Sequence, residues 1–236
     1  MSLKIAVITD LHYSSSPLAH ISYRKGELAN EFLLKTIDII NNTIKPDITV
    51  VLGDLLNDGN KDDALDLLKT LKQSINTLDS KVIVLRGNHD PVQEEFTKIM
   101  GDLVDFVDIN GVRLIPFADK DEAGANASRS EYDIDRMCRL SSDFSGQIVF
   151  LQHVPLFPKE LITGFYNYTN ADKLLYEIAR LPNPTLTLAG HEHAGMKMVK
   201  SGKDSFVAAP GLCEEPFQFM VVEIDKNNIQ CINKHL

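Results

Sequence analysis

The chain has 236 residues, with 24 Lys+Arg against 33 Asp+Glu and a formal net charge of −9. That length buries roughly 70% of the unfolded surface, and a hydrophobic fraction of 44% with a charged fraction of 24% excludes disorder, collagen and coiled coil. The acidic balance argues against a broad phosphate-tracking surface for nucleic acid, which clusters Lys and Arg, and no apolar run approaches the ~18 residues of a membrane span.

Met1-Ser2-Leu3-Lys4 leads straight into Ile5-Ala6-Val7-Ile8, an apolar run too short for a secretory signal. Leu3–Thr9 reads as a buried strand, and Arg24–Asn42 as an amphipathic helix with Leu28, Phe32, Leu33, Ile37 and Ile40 on its apolar face. Strand Asp47–Leu52, helix Asp62–Leu78, strand Lys81–Arg86 and helix Val92–Met100 follow. This alternation implies parallel pairing with right-handed crossovers. Asp62, Asp63 and Asp66 read as a solvated helix face. Asp119–Ser130, rich in Ala, Gly, Asn and Asp, reads as a mobile loop. Strands Gln147–Leu151 and Thr185–Ala189 bracket a helix over Asn170–Arg180, with Asn170 as its N-cap. Met196–Lys200, Ser205–Ala209, Phe217–Ile224 and Ile229–Lys234 read as an antiparallel meander. No repeat or long linker divides the chain, so residues 1–236 are expected to form a single mixed α/β domain.

Five of the seven histidines closely follow a strand-like run, and the same positions carry Asp10, Asp54 and Asn88. Ligands of α/β sheets gather at the C-terminal ends of strands, where loops converge on one crevice. The fragments are Asp10-Leu11-His12, Gly53-Asp54, Gly87-Asn88-His89-Asp90, Gln152-His153 and Gly190-His191-Glu192-His193. Singly they are weak: Gly53-Asp54 alone reads as a turn, and Asp10 alone as a helix cap. Five such fragments, each offering nitrogen or oxygen donors at a strand end, exceed what turn chemistry produces.

This ordered set, D-x-H, G-D, G-N-H-D, H and G-H-x-H from Asp10 to His193, resembles the metallophosphoesterase superfamily, the calcineurin-like phosphoesterases. The resemblance implies a four-layer αββα fold, a mixed β-sandwich of two sheets flanked by helices. It implies two divalent ions, one held by Asp10, His12 and His193, the other by Asn88, His153 and His191, with Asp54 bridging. Two such ions ~3.5–4 Å apart repel strongly and need a shared carboxylate and a bridging hydroxide between them. Two carboxylates among seven ligands leave residual positive charge for a phosphate. Donors without thiolate suit Mn, Fe or Zn. The implied reaction is hydrolysis of a phosphoester by the bridging hydroxide, with His89 stabilising the transferred phosphoryl group and protonating the leaving oxygen.

Departures from the family pattern narrow the branch. Many relatives carry an acidic residue three positions after Asp54 to pair with His89; here Asn57 stands there, with Asp58 and Asp90 as substitutes to be weighed. The stretch lacks the Arg of phosphoprotein phosphatases, and G-N-H-D differs from the G-N-R-D of the lipid A pyrophosphatase branch. The remainder looks most like bacterial class III phosphodiesterases, although Gln152 stands where many members have a second histidine.

The expected substrate is a small organic or nucleotide phosphodiester. A phosphomonoesterase calls for more cations around a dianion, a nuclease for a basic surface, and a non-catalytic scaffold for lost ligands. No membrane or extended nucleic-acid partner is expected. Cys138, Cys213 and Cys231, odd in number and widely spaced, suit the cytoplasm. Phe157, Phe165, Tyr166 and Tyr168 either pack a loop or stack on a substrate base, Tyr13 to Ser16 form a polar turn or touch phosphate, and Arg86 is left unassigned.

Overall fold

The computed structural model describes residues 2–18, 21–157, 166–225 and 228–236. In chain order the elements are β1 (Ser2–Ile8), α1 (Ala29–Ile39), β2 (Ile48–Leu52), α2 (Ala64–Ile75), β3 (Lys81–Leu85), α3 (Gln93–Met100), β4 (Val107–Ile109), β5 (Val112–Pro116), β6 (Lys120–Glu122), β7 (Asn126–Ser128), α4 (Glu131–Ser142), β8 (Gln147–Leu151), α5 (Ala171–Arg180), β9 (Thr185–Ala189), β10 (Met196–Ser201), β11 (Asp204–Ala208), β12 (Gln218–Asp225) and β13 (Asn228–His235).

One sheet has the order β13-β12-β1-β2-β3 and the other β10-β11-β9-β8-β5-β4. The apolar runs read as strands are buried on both faces, as parallel strands covered by crossover helices must be. Alternate residues explain the layers, because strand side chains point to opposite faces. Ile5, Val7 and Val50 of the first sheet meet Val149, Leu151 and Leu188 of the second in the central core. Ala6, Ile8 and Val51 point the other way, against α1, α2 and α3, while Ile148 and Phe150 pack under α4 and α5. The result is the four-layer α/β sandwich expected, two mixed sheets flanked by helices.

Four local expectations need correction. Asp119–Ser130 is not a loose loop: β6 and β7 pair as a hairpin, and Arg129 anchors it by donating to both carboxylate oxygens of Asp119, each at 2.8 Å. The C-terminal strands are not one meander, since β10–β11 closes the second sheet and β12–β13 the first, with β11 running parallel to β9. Asn170 occupies the N-cap of α5, yet its side chain clamps the Arg129 backbone rather than the helix. Helix Arg24–Asn42 is shorter than its periodicity suggests; a 3-10 turn over Gly26–Leu28 precedes α1, and a wide turn over Ile40–Ile44 ends at left-handed Lys45.

Candidate metal centre

Five strand ends open on one crevice. Asp10 and His12 follow β1, Asp54 follows β2, Asn88 and His89 follow β3, His153 follows β8, and His191 and His193 follow β9. The backbone turns sharply to aim these side chains: Asp10, His12, Asp54 and His191 all have φ between 46° and 66°. For non-glycine residues this left-handed region is sparsely populated, and held strain of this kind clusters at functional sites. Gly87 is required by close approach, because a Cβ there would lie 2.2 Å from Asp54 Oδ1.

Two donor sets share one carboxylate. In the first, His12 Nε2 and His193 Nε2 lie 3.0 Å apart, and Asp10 Oδ1 is 3.3 Å from His193 Nε2 and 3.7 Å from His12 Nε2. In the second, His153 Nε2 lies 3.1 Å from both Asn88 Oδ1 and His191 Nδ1. Asp54 Oδ2 stands between them, 3.5 Å from His12 Nε2 and 3.3 Å from His153 Nε2. Asp54 Oδ1 accepts the His89 backbone N–H at 2.9 Å, and the His89 ring packs edge-on against His12 with centroids 4.8 Å apart. All seven expected ligands and His89 therefore converge.

The ring orientations fit metal binding. His153 Nδ1 donates to the Leu52 carbonyl at 2.7 Å, and His193 Nδ1 donates to Glu214 Oε1 at 2.6 Å, which leaves each Nε2 facing the centre. Asp10 Oδ2 accepts from Thr9 Oγ1 and the His191 backbone N–H, whereas Oδ1, buried and turned into the first donor set, has no hydrogen-bond partner. A buried carboxylate oxygen aimed at two imidazole nitrogens is what a cation site requires.

The charges respond to this crowding. Burial alone would raise Asp10 and Asp54, but the close approach of His12 and His193 to Asp10, and the His153 charge beside Asp54, hold both below the usual carboxylate range. Burial would lower His153 and His193; Asp54 instead lifts His153 to about 9, and Asp10 with Glu214 lifts His193 to about 10. His191 is pushed down to about 4 by burial and the His153 charge, and burial lowers His12. Asp90 is raised to about 7 by burial and the Asp54 charge.

Neither Asp58 nor Asp90 replaces the missing acid beside His89. Asp58 accepts from Asn60, Asp90 accepts from the Leu56 and Gly87 backbone, and His89 Nδ1 meets the main-chain oxygen of Asn57 at 2.7 Å. Phe157 and Tyr168 are core residues, Tyr166 packs its ring against His191 at 4.4 Å, and Phe165 lies outside the described residues. Tyr13 bridges to Leu56 and Ser14 donates to the Ser16 carbonyl, so that segment is a structural turn. Arg86 is committed to Pro91, Asp90 and Asp121.

Three neighbours escape the motif: Arg24, Cys213 and Glu214. Cys213 lies beside His12 and His193, and burial pushes its thiol up, keeping it protonated. Its segment follows β11 and is tied to the Asp10 loop by the Leu212 and Cys213 backbone N–H groups. The strand-end rule reaches Cys213 and Glu214 only once β11 is known to run parallel to β9.

Comparison with known proteins shows the family and the fold. The family profile described as calcineurin-like phosphoesterase matches residues 3–195. A dimetal phosphatase from Danio rerio superposes with a TM-score of 0.80 at 15% identity, covering 99% of this chain and 96% of that one. The protein TT1561 of Thermus thermophilus superposes with a TM-score of 0.65 at 15% identity, covering 99% of each chain. No curated protein sequence matches the chain.

Proposed function

The chain belongs to the calcineurin-like phosphoesterases, metal-dependent hydrolases of phosphoesters, and from that premise we propose that its substrate is a small organic or nucleotide phosphodiester. The observation that carries the two-ion reading is the placement of Asp54 Oδ2 within 3.5 Å of a histidine nitrogen from each donor set. Asp10, His12 and His193 would hold one ion, Asn88, His153 and His191 the other, and Asp54 both. The donor set is nitrogen and oxygen, suited to Mn, Fe or Zn. When bound, such a pair supplies Lewis-acid charge to the phosphoryl oxygens and an acidified water.

The chain's own residues do the rest. Nδ1 of His89 is tied to Asn57 O, so its Nε2 is the nitrogen free to give a proton to the leaving oxygen. Asp54 Oδ1 holds the His89 backbone, which couples the proton donor to the bridging carboxylate. In-line displacement then joins phosphorus to the oxygen of a water that has already lost one proton to solvent. It breaks the ester P–O bond and passes the Nε2 proton of the His89 imidazolium to the departing alkoxide, which leaves as the alcohol.

The preference for a diester is supported by the scarcity of free cations at the centre among the described residues. Arg24 Nε is tied to Glu214 behind the imidazoles, Arg86 to the hairpin and its own loop, and Lys25 to the Ser22 carbonyl. A dianionic monoester gains little there. No helix among the described residues is long and apolar enough to cross a membrane. We read the chain as a single domain acting in the cytoplasm on a small molecule, with three free cysteines and no extended nucleic-acid partner.

The test is turnover of bis(p-nitrophenyl) phosphate beside p-nitrophenyl phosphate, with chelator-stripped protein before and after Mn²⁺. Metal-dependent cleavage favouring the diester supports the reading. Preference for the monoester makes the protein a phosphomonoesterase, and Mn²⁺ binding without turnover of either ester favours a scaffold.

A further inference from the structure

A charged cluster behind His12 and His193 is left unused by the hydrolytic chemistry. Glu214 follows β11, Arg24 precedes α1, and the two residues meet in an isolated β-bridge. One oxygen, Glu214 Oε1, lies 2.6 Å from His193 Nδ1 and 3.0 Å from Arg24 Nε. The side chains are only 17% and 12% exposed, so water does little to screen them. Arg24 Nη1 also lies 3.4 Å from Asn57 Oδ1, which brings the guanidinium to the loop that steers His89.

A carboxylate only accepts and a guanidinium only donates, so the proton in the 2.6 Å contact belongs to His193 Nδ1. Arg24 Nη2 lies 3.2 Å from the same ring nitrogen, a donor beside a donor, and the Glu214 carboxylate that both Arg24 Nε and Nδ1 face offsets their repulsion. Nε2, the other ring nitrogen, lies 3.3 Å from Asp10 Oδ1 and 3.0 Å from His12 Nε2. We propose that Glu214, braced by Arg24, is a positioning residue that keeps the His193 proton on Nδ1 and reserves Nε2 for the ion held with Asp10 and His12. The proposal rests on the two-ion reading of the centre.

His153 provides the internal contrast. Its Nδ1 donates to a main-chain oxygen, Leu52 O, fixed at the end of β2. Glu214 is charged and comes from a loop, so the ring it faces becomes the stronger donor and its ion gains a nearby negative charge. Loss of Glu214 therefore falls on one of the two sites, not on both.

The experiment is Mn²⁺ titration calorimetry on the stripped full chain, with the unfolding temperature of each stripped form measured alongside. Glu214→Ala alone leaves buried Arg24 without its acceptor, so the double variant Arg24→Met/Glu214→Ala separates fold from site, and Glu214→Gln keeps an oxygen that accepts from Nδ1. The expected result is two ions on the wild type, one of them weakened roughly 10–100-fold in the double variant, with the stripped protein unfolding near the wild-type temperature. Glu214→Gln should recover part of the loss. Unchanged affinity for both ions in the double variant, or equal weakening of both, overturns the proposal. A wild type that binds no Mn²⁺ at all overturns the centre itself, and is told apart because the unmutated chain fails.

Discussion

His89 Nδ1 donates to the main-chain oxygen of Asn57 at 2.7 Å, where related enzymes are expected to offer a side-chain carboxylate. A carbonyl keeps a proton on Nδ1 as a carboxylate does, and it places no full charge beside the ring. Because the contact is to the backbone, the residue type at 57 matters little to it. Asn57→Ala is predicted to keep kcat for the diester within about threefold, while His89→Ala loses roughly 10²–10⁴-fold, the range of a general acid. Steady-state kinetics of the two variants decide this; an Asn57→Ala loss equal to that of His89→Ala would contradict it.

Metal removal is predicted to lower thermal stability. An ion that binds only the folded chain, present at 100 times its Kd, adds about 2.7 kcal/mol, or roughly 5–10 °C for a chain of this size. Melting curves with chelator and with restored Mn²⁺ measure the difference. An identical curve in both would mean the crevice holds no ion.

The stripped protein has its own pH signature. His153 and His193 titrate at about 9 and about 10, above the ordinary 6.5. A folded-state value raised in this way contributes stability that is complete below 6.5 and lost as pH rises through the folded value. His191, lowered to about 4, works on the other side, giving stability above 6.5 that is lost as pH falls through about 4. Urea midpoints in chelator are predicted to fall from pH 6.5 towards 10, and a rising midpoint over that window would refute the assignment.

Arg129 is predicted to be the costliest cation to remove. It is fully buried, donates to both oxygens of Asp119, stacks on Phe117, and reaches Gln152 Oε1 at 3.0 Å, one residue before His153. Arg129→Met leaves Asp119 buried without a counter-charge, a loss of about 3–5 kcal/mol. Chemical denaturation reads this directly, and a change under about 1 kcal/mol would show that the hairpin is held by other contacts.

The strands and the candidate site residues are legible in the sequence for one reason. Buried parallel strands read as unbroken apolar runs, and the residues that converge on the centre fall just after them, as at Asp10 after Ile8 and Asp54 after Leu52. The hairpin over 120–128 is not legible, because its order comes from Asp119 and Arg129 pairing at its two ends while its own residues look like a loop. Helix α4 does carry a local signal: Ser130 Oγ accepts the Asp133 N–H, a capping pattern followed by buried Ile134, Met137 and Leu140. Glu214 and Arg24 lie outside the motif fragments, and the Asn57 contact is to the main chain, which no residue type reveals.

The central claim is a pair of ions sharing Asp54, and the most direct measurement is the number of Mn²⁺ bound per chain by wild type and by Asp54→Ala. The account predicts two for the wild type and one or none for the variant, whose two donor sets lose their common oxygen. One ion in both proteins, or two in both, would contradict it.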